Sequence, residues 1–153
     1  MPDVDLIVIH CSATRPNQSV SIADIDAMHK ARGFRCGYHQ YITRSGSLQL
    51  GRPLNRTGAH TKGFNSHSIG VCLEGGVDLD GKSVMNFTNR QLDAARLVVA
   101  YDKLLFPQAN VVGHRDMSPD LNGDGVIRRN EWMKDCPCFD VDHWLNTGEA
   151  VFQ

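Results

Sequence analysis

The segment Asp5-Leu6-Ile7-Val8-Ile9-His10 decides the fold of this 153-residue chain. Its four consecutive apolar residues, three of them β-branched, predict a short strand that is buried on both faces. Such a strand lies inside a sheet that helices cover on both sides. His10 ends the strand, and side chains at strand ends lie at the rim of a sheet, where the binding sites of α/β proteins gather. The segment therefore predicts an α/β fold with a histidine at its functional edge.

Three segments carry the signals of helices. Each begins with a residue whose side-chain oxygen can cap the free N–H groups of a first turn. The caps and the approximate extents are Ser21 to Arg32, Thr88 to Phe106, and Asp140 onward through Trp144. Gly33 and Pro107 follow the first two helices and are suited to end them.

Strand patterns occupy the remaining ordered segments. Residues 37–44 and 47–52 have the pattern of a hairpin that turns at Gly46, and residues 68–73 form another apolar run. Residues 110–113 are a last short strand that leads directly to His114. We therefore expect a mixed central β-sheet flanked by helices on both faces, in a single domain that spans residues 1–153.

Composition and charge exclude several classes of function. The formal net charge is -1 and there is no basic tract, so nucleic acid is not an expected partner. No stretch approaches the roughly 20 apolar residues that cross a membrane. The first residues lack the basic and apolar regions of a signal peptide, so we expect synthesis in the cytosol and a separate route to any target outside it. We expect the protein to be a monomer.

Cysteine usage points to a metal rather than to disulfides. The five cysteines are an odd number, and Cys11 and Cys72 lie in apolar runs that are typical of a core. Two histidines that end predicted strands, His10 and His114, together with Cys136 supply the ligands of a catalytic zinc site, in which three protein ligands leave a fourth position for water. Spacing alone does not establish this site, because no short zinc motif is present, and Cys138 competes with Cys136 for the third position.

Six short blocks then occur in order along nearly the whole chain. They are Ile9-His10-Cys11-Ser12-Ala13-Thr14, Gly37-Tyr38-His39, Gly58-Ala59-His60, Asn65-Ser66-His67-Ser68-Ile69-Gly70-Val71, Gly113-His114-Arg115-Asp116, and Cys136-Pro137-x-Phe139-Asp140. With these blocks the sequence resembles the zinc-dependent N-acetylmuramoyl-L-alanine amidases that are related to small phage lysozymes and to peptidoglycan recognition proteins.

This resemblance implies an activity and a set of site residues. The activity is hydrolysis of the amide bond between N-acetylmuramic acid and L-alanine in peptidoglycan. The family pattern places the cysteine ligand first in its last block, which favours Cys136 over Cys138. At matching positions the zinc ligands are His10, His114 and Cys136, the catalytic pair is Tyr38 and Lys134, and His39 and His60 line the substrate cleft or support the ligands.

Residues 120–131, between two of the expected zinc ligands, have the pattern of an EF-hand calcium loop. Oxygen-bearing side chains stand at the first, third and fifth positions, a glycine at the sixth and a glutamate at the last. The expected calcium ligands are Asp120, Asn122, Asp124, the carbonyl of Val126, and Glu131. Pro119 directly precedes the loop and argues against an incoming helix, so we expect a structural Ca²⁺ site rather than a calcium sensor.

Several functions fit these expectations. An enzyme that acts on peptidoglycan or muropeptides is favoured, as a phage or prophage endolysin or as a cytosolic amidase that recycles muropeptides. A non-catalytic peptidoglycan-recognition module is a second class, but such relatives tend to lose the cysteine ligand, and Cys136 is present here. A calcium-binding interaction protein would explain only residues 120–131.

Overall fold

The computed structural model describes residues 3–152, which form five strands and three α-helices. Within this range, no helix combines the length and the apolar character that crossing a membrane requires. The strands are β1 (Leu6–Cys11), β2 (Gln40–Ile42), β3 (Leu48–Leu50), β4 (Ser68–Leu73) and β5 (Asn110–Gly113). The helices are α1 (Ile22–Ala31), α2 (Asn89–Leu105) and α3 (Val141–Thr147), and their N-caps are Ser21, Thr88 and Asp140 as the sequence predicts.

The strands form one mixed sheet in the order β3-β2-β4-β1-β5. β1 lies between β4 and β5 and is parallel to both, so that Val8 pairs with Gly70 on one side and Val112 on the other. β2 is parallel to β4, and β3 pairs with β2 in the antiparallel sense at the edge. Because β2, β4, β1 and β5 are all parallel, their carboxyl ends meet at one edge of the sheet.

Helices cover both faces of the sheet, as expected. Alternate residues of β1 and β4, such as Ile7 and Ile69, pack with α2 and α3 in the larger core. On the opposite face, Tyr41 and Cys72 pack with Ile25 of α1 in a smaller core. A mixed sheet between helices, inferred from the sequence, is therefore the fold that forms.

Two details differ from the sequence-based expectation. The hairpin strands are shorter than predicted, although single backbone bonds continue the pairing, from Gly51 N–H to the His39 carbonyl and from Arg52 N–H to the Tyr38 carbonyl. The packed face of α2 is narrower than its apolar residues from Leu92 to Leu104 predict, because Leu97 and Leu104 are 73% and 82% exposed. Only one stripe of a helix can contact the sheet, and apolar residues outside that stripe remain in solvent.

Gln91 joins helix α2 to the sheet in a way that the sequence does not reveal. It occupies the third position of α2, where its side-chain carbonyl accepts from the Thr88 N–H. Its amide nitrogen also donates to the carbonyls of Ile42, the last residue of β2, and Glu74, which follows β4. One fully buried side chain therefore caps the helix and satisfies two buried carbonyls of the sheet.

A second buried contact between α2 and the sheet contains a titratable group. Gln40 Nε2 donates to Asp102 Oδ1 at 2.8 Å, whereas Gln40 Oε1 and Asp102 Oδ2 are buried and have no hydrogen-bond partner among residues 3–152. Burial raises the pKa of Asp102 from its usual value of 3.8 to about 6, and the bond from Gln40 opposes that rise. If Asp102 carries its proton on Oδ2, that oxygen can donate to Gln40 Oε1. The two side chains then share two hydrogen bonds, as a carboxylic acid and an amide do in a cyclic pair.

This pair makes stability depend on pH in a defined direction. Between pH 4 and 6 the folded chain holds a proton on Asp102 that the unfolded chain has lost, so stability falls as the pH rises through this window. Asp102→Asn keeps both hydrogen bonds without a proton. We therefore expect the variant to exceed the wild type by about 3 kcal/mol at pH 8 and to match it near pH 4 in urea unfolding.

The control for this experiment is Asp93→Asn, which changes an exposed carboxylate on the same helix. It should shift stability equally at both pH values. A stability difference between wild type and Asp102→Asn that does not change with pH would show that folding does not raise the pKa of Asp102.

Candidate metal centre and active site

Three ligand side chains meet at the carboxyl edge of the central strands. His10 is the next-to-last residue of β1, and His114 directly follows β5 at the start of a 3-10 turn (His114–Met117). Cys136 comes from a distant loop, which the Arg115 N–H holds by donating to the Cys136 carbonyl at 2.8 Å. The ligand atoms of His10, His114 and Cys136 all lie within 4.8 Å of one another, and no other such group of three His, Cys, Asp or Glu side chains occurs in residues 3–152.

The geometry and chemistry of these atoms fit zinc. His10 Nδ1 lies 3.9 Å from Cys136 Sγ, close to the roughly 3.6 Å that separates nitrogen and sulfur ligands of tetrahedral zinc. Burial, and secondarily charge repulsion from Lys134, lowers the pKa of His114 to about 4. Burial likewise lowers the pKa of His10 well below its ordinary value. Both imidazoles are therefore neutral near pH 7 and have a lone pair for a metal.

The two cysteines that are candidates for the third ligand have different surroundings in the structure. Cys138 is 2% exposed in the larger core, where its thiol donates to the Gly76 carbonyl and lies 4.0 Å from Cys11 Sγ. Cys136 Sγ instead faces the histidines and accepts from the Cys11 N–H at 3.1 Å. The alternative that Cys138 is the third ligand is therefore inconsistent with the arrangement. Cys11 and Cys72 are buried core residues, as predicted.

A cleft of about 280 Å³ opens over the three ligands. Tyr38 lines it, with its ring 5.1 Å from that of His10, and exposed Lys134 also lines it, near His114. Burial raises the pKa of Tyr38 well above its ordinary value, so its hydroxyl is a neutral phenol at pH 7. A second concavity of about 250 Å³ shares His114 and Lys134 with the first and extends it toward Lys62.

The two histidines that we expected in the substrate cleft occupy different positions. His60 lines the cleft, and its Nδ1 lies 2.9 Å from His10 Nε2. His39 is 1% exposed and does not line it, since its Nδ1 accepts from the Gly70 N–H and its Nε2 bonds to the Arg56 carbonyl. His39 packs behind His60 with the two rings 5.8 Å apart. The structure thus gives His39 a supporting position without access to substrate.

Sequence reasoning missed the polar residues around His60. Thr61 Oγ1 lies 2.9 Å from His60 Nδ1, and Ser68 Oγ lies 3.2 Å from His60 Nε2. Asn65 Oδ1 accepts from the N–H groups of both His60 and Thr61 and so fixes this loop. The available signal was the block that begins at Asn65, which the resemblance included without assigning any role to its residues.

The predicted calcium loop is exposed and is closed by its own hydrogen bonds. Asp120 accepts from the N–H groups of Gly123 and Gly125, both of which have a positive φ. Glu131 is buried and accepts from the N–H groups of Leu121 and Arg128, and the Arg128 guanidinium pairs with Asp124. Its last three residues form a 3-10 turn (Arg129–Glu131), and no α-helix enters the loop, as Pro119 predicts.

Comparison with known proteins agrees with this site. Residues 1–138 match the family described as N-acetylmuramoyl-L-alanine amidase. The chain belongs to this family. An endolysin of Enterobacteria phage K11 is 38% identical over 144 residues, which are 94% of this chain and 86% of that protein.

Solved structures of related proteins have the same fold. The N-acetylmuramoyl-L-alanine amidase LysC from Clostridium intestinale is similar with a TM-score of 0.69 and 25% identity, covering 88% of this chain and 76% of LysC. A mutant of Drosophila PGRP-LB in complex with tracheal cytotoxin is also similar, with a TM-score of 0.69 and 20% identity, covering 100% of this chain and 86% of PGRP-LB.

Proposed function

We propose that this amidase is a phage or prophage endolysin and that it uses zinc, held by His10, His114 and Cys136, to cut the bond between N-acetylmuramic acid and L-alanine. The observation that carries the proposal is the meeting of two neutral imidazoles and one thiol within 4.8 Å at the floor of an open cleft. When bound there, zinc supplies a Lewis acid and a water nucleophile whose pKa is lowered to about 7.

The residues of the chain would supply the remaining chemistry. The neutral Tyr38 hydroxyl borders the cleft beside His10, where it can hydrogen-bond the attacking water and hold it toward the carbonyl carbon. The Lys134 ammonium can stabilise the negative charge that develops on the carbonyl oxygen. Three cationic side chains border the joined concavities and would attract the carboxylates of a stem peptide: Arg32, Lys62 and Lys134.

An endolysin and a recycling amidase differ in their substrate, which is the intact cell wall for the first and soluble muropeptides for the second. The similarity to an endolysin of phage K11, which is 38% identical and covers 94% of the chain, favours action on the intact wall after release from the cytosol. A recycling enzyme would prefer soluble muropeptides. A purely binding module would need neither Tyr38 nor the thiol of Cys136, and both are present at the cleft.

Replacement of Tyr38 or Lys134 tests the proposed chemistry. Tyr38→Phe and Lys134→Ala should keep zinc and the fold and lower the rate on intact sacculi by about 100-fold or more, because each removes a group that acts in the transition state. Mass spectrometry of the wild-type digest should find free stem peptides with an N-terminal L-alanine.

Tyr101→Phe and Lys82→Ala change an exposed tyrosine and an exposed lysine away from the cleft and should leave the rate unchanged. Sugar-chain fragments in the digest would refute the assigned bond. Full activity of Tyr38→Phe and Lys134→Ala would refute the assigned roles, and faster cleavage of soluble muropeptides than of sacculi would favour the recycling enzyme.

We further propose that residues 120–131 bind calcium. The support is the set of donors, Asp120, Asn122, Asp124, the Val126 carbonyl and Glu131, since Ca²⁺ takes roughly six to eight oxygens. The Arg128 guanidinium occupies one oxygen of Asp124, so an ion must displace it. Because the loop joins His114 to Cys136, its order would be linked to that of the zinc ligands.

Thermal unfolding of the zinc-loaded protein tests the calcium site. Adding Ca²⁺ to about 100 times its dissociation constant should stabilise the fold by about 3 kcal/mol, whereas Mg²⁺ should have a smaller effect. Arg128→Ala removes the competing cation and should lower the Ca²⁺ concentration required, while Asp124→Ala should abolish the response. Asp80→Asn, in another exposed turn, is the control. Equal melting curves with and without Ca²⁺ would reject the site.

A further inference from the structure

His60 contacts the one zinc-ligand side chain that is almost completely buried. His10 is 1% exposed, and its two ring nitrogens have different surroundings. Nδ1 faces Cys136 Sγ at 3.9 Å, whereas Nε2 points away from the ligand cluster, 2.9 Å from His60 Nδ1. A nitrogen that binds a metal must be unprotonated, so in a neutral imidazole the proton lies on the other nitrogen.

We propose that His60 is the positioning residue of the metal centre, which accepts the Nε2–H of His10 and thereby presents His10 Nδ1 to zinc. The inference rests on the proposed zinc function. Once His10 donates, His60 Nδ1 must be the acceptor, and its own proton lies on Nε2. That nitrogen has an acceptor in Ser68 Oγ at 3.2 Å. Each ring nitrogen of both histidines then has a defined role.

The packing around His60 holds its ring in the required orientation. The rings of His10 and His60 meet edge to face at 88°, with centroids 4.9 Å apart. A Cβ at position 70 would lie 2.6 Å from His60 Cγ, and one at position 58 would lie 2.7 Å from His60 Cδ2. Only glycine therefore leaves room for this ring at both Gly58 and Gly70. The edge of His39 closes the slot from behind.

The partner of His10 is consequently a neutral group. Histidines that bind metals commonly donate to a carboxylate or a carbonyl, and a carboxylate makes the ligand more basic. In the described chain the side-chain contacts of His10 Nε2 are His60 and Thr61, and neither is a carboxylate. An imidazole acceptor fixes the His10 tautomer while adding no negative charge beside the ion.

Thr61 is the competing acceptor, because its Oγ1 lies 3.3 Å from His10 Nε2. The distance from His10 Nε2 to His60 Nδ1 is shorter, at 2.9 Å, and favours His60 as the acceptor. Thr61→Val removes the hydroxyl at nearly constant volume and so separates the two possibilities.

Zinc affinity, measured by competition with a chromophoric chelator at pH 7.5, tests the proposal. His60→Ala should weaken zinc binding by about 10- to 100-fold, the usual loss when the partner of a histidine ligand is removed. His60→Asn, whose Oδ1 can take the place of Nδ1, should recover most of that loss. Thr61→Val should change the affinity by less than about threefold, and His143→Ala, a histidine outside the cleft, should not change it.

Nitrogen NMR of the zinc-loaded wild type provides a second measurement that does not depend on the folding of any variant. It should find His10 protonated on Nε2 and His60 unprotonated on Nδ1, with a scalar coupling between these nitrogens across the hydrogen bond. Wild-type affinity in His60→Ala, a larger loss in Thr61→Val, or a proton on His60 Nδ1 would overturn the role of His60. A wild type that binds no zinc would instead refute the proposed function.

Discussion

Parallel pairing of β1 with both β4 and β5 is the constraint on which the rest of the structure depends. It places the carboxyl ends of these three parallel strands at one edge, and with them His10 and the residue that follows β5, His114. The register is strongly determined, because β1 and β4 are buried along most or all of their length and a shift by one residue would exchange their two faces. A precise metal centre can therefore be built from residues 104 positions apart.

Much of this arrangement could be predicted from the sequence, because the signals involved are local. The β-branched run of β1, the N-caps of the helices and the turn at Gly46 each depend on neighbouring residues, and the resulting elements form as expected. The resemblance to an amidase family assigned Cys136 as the third ligand. No local sequence pattern could show that this distant cysteine lies beside the two histidines. Residue type alone did not distinguish Cys136 from Cys138, since the choice depends on which thiol faces the core.

The remaining features could not be predicted, since they depend on contacts between distant segments. His39 and His60 occur in similar glycine-containing blocks, yet backbone bonds to Gly70 and Arg56 hold His39 behind the site while His60 reaches the cleft. Gln40 and Asp102 look like ordinary polar residues until β2 and α2 bury them together. Burial then raises the pKa of Asp102, and no sequence pattern within either segment predicts that burial.

Zinc-edge X-ray absorption on the isolated protein tests the central claim, that this edge of the sheet holds one zinc ion through His10, His114 and Cys136. The account predicts one ion per chain with two nitrogen ligands, one sulfur ligand and one light atom from solvent, and the same spectrum for Cys138→Ser. Cys136→Ser should lose the sulfur contribution or the metal itself. Two sulfur ligands in the wild type, or a sulfur ligand that persists in Cys136→Ser, would contradict it.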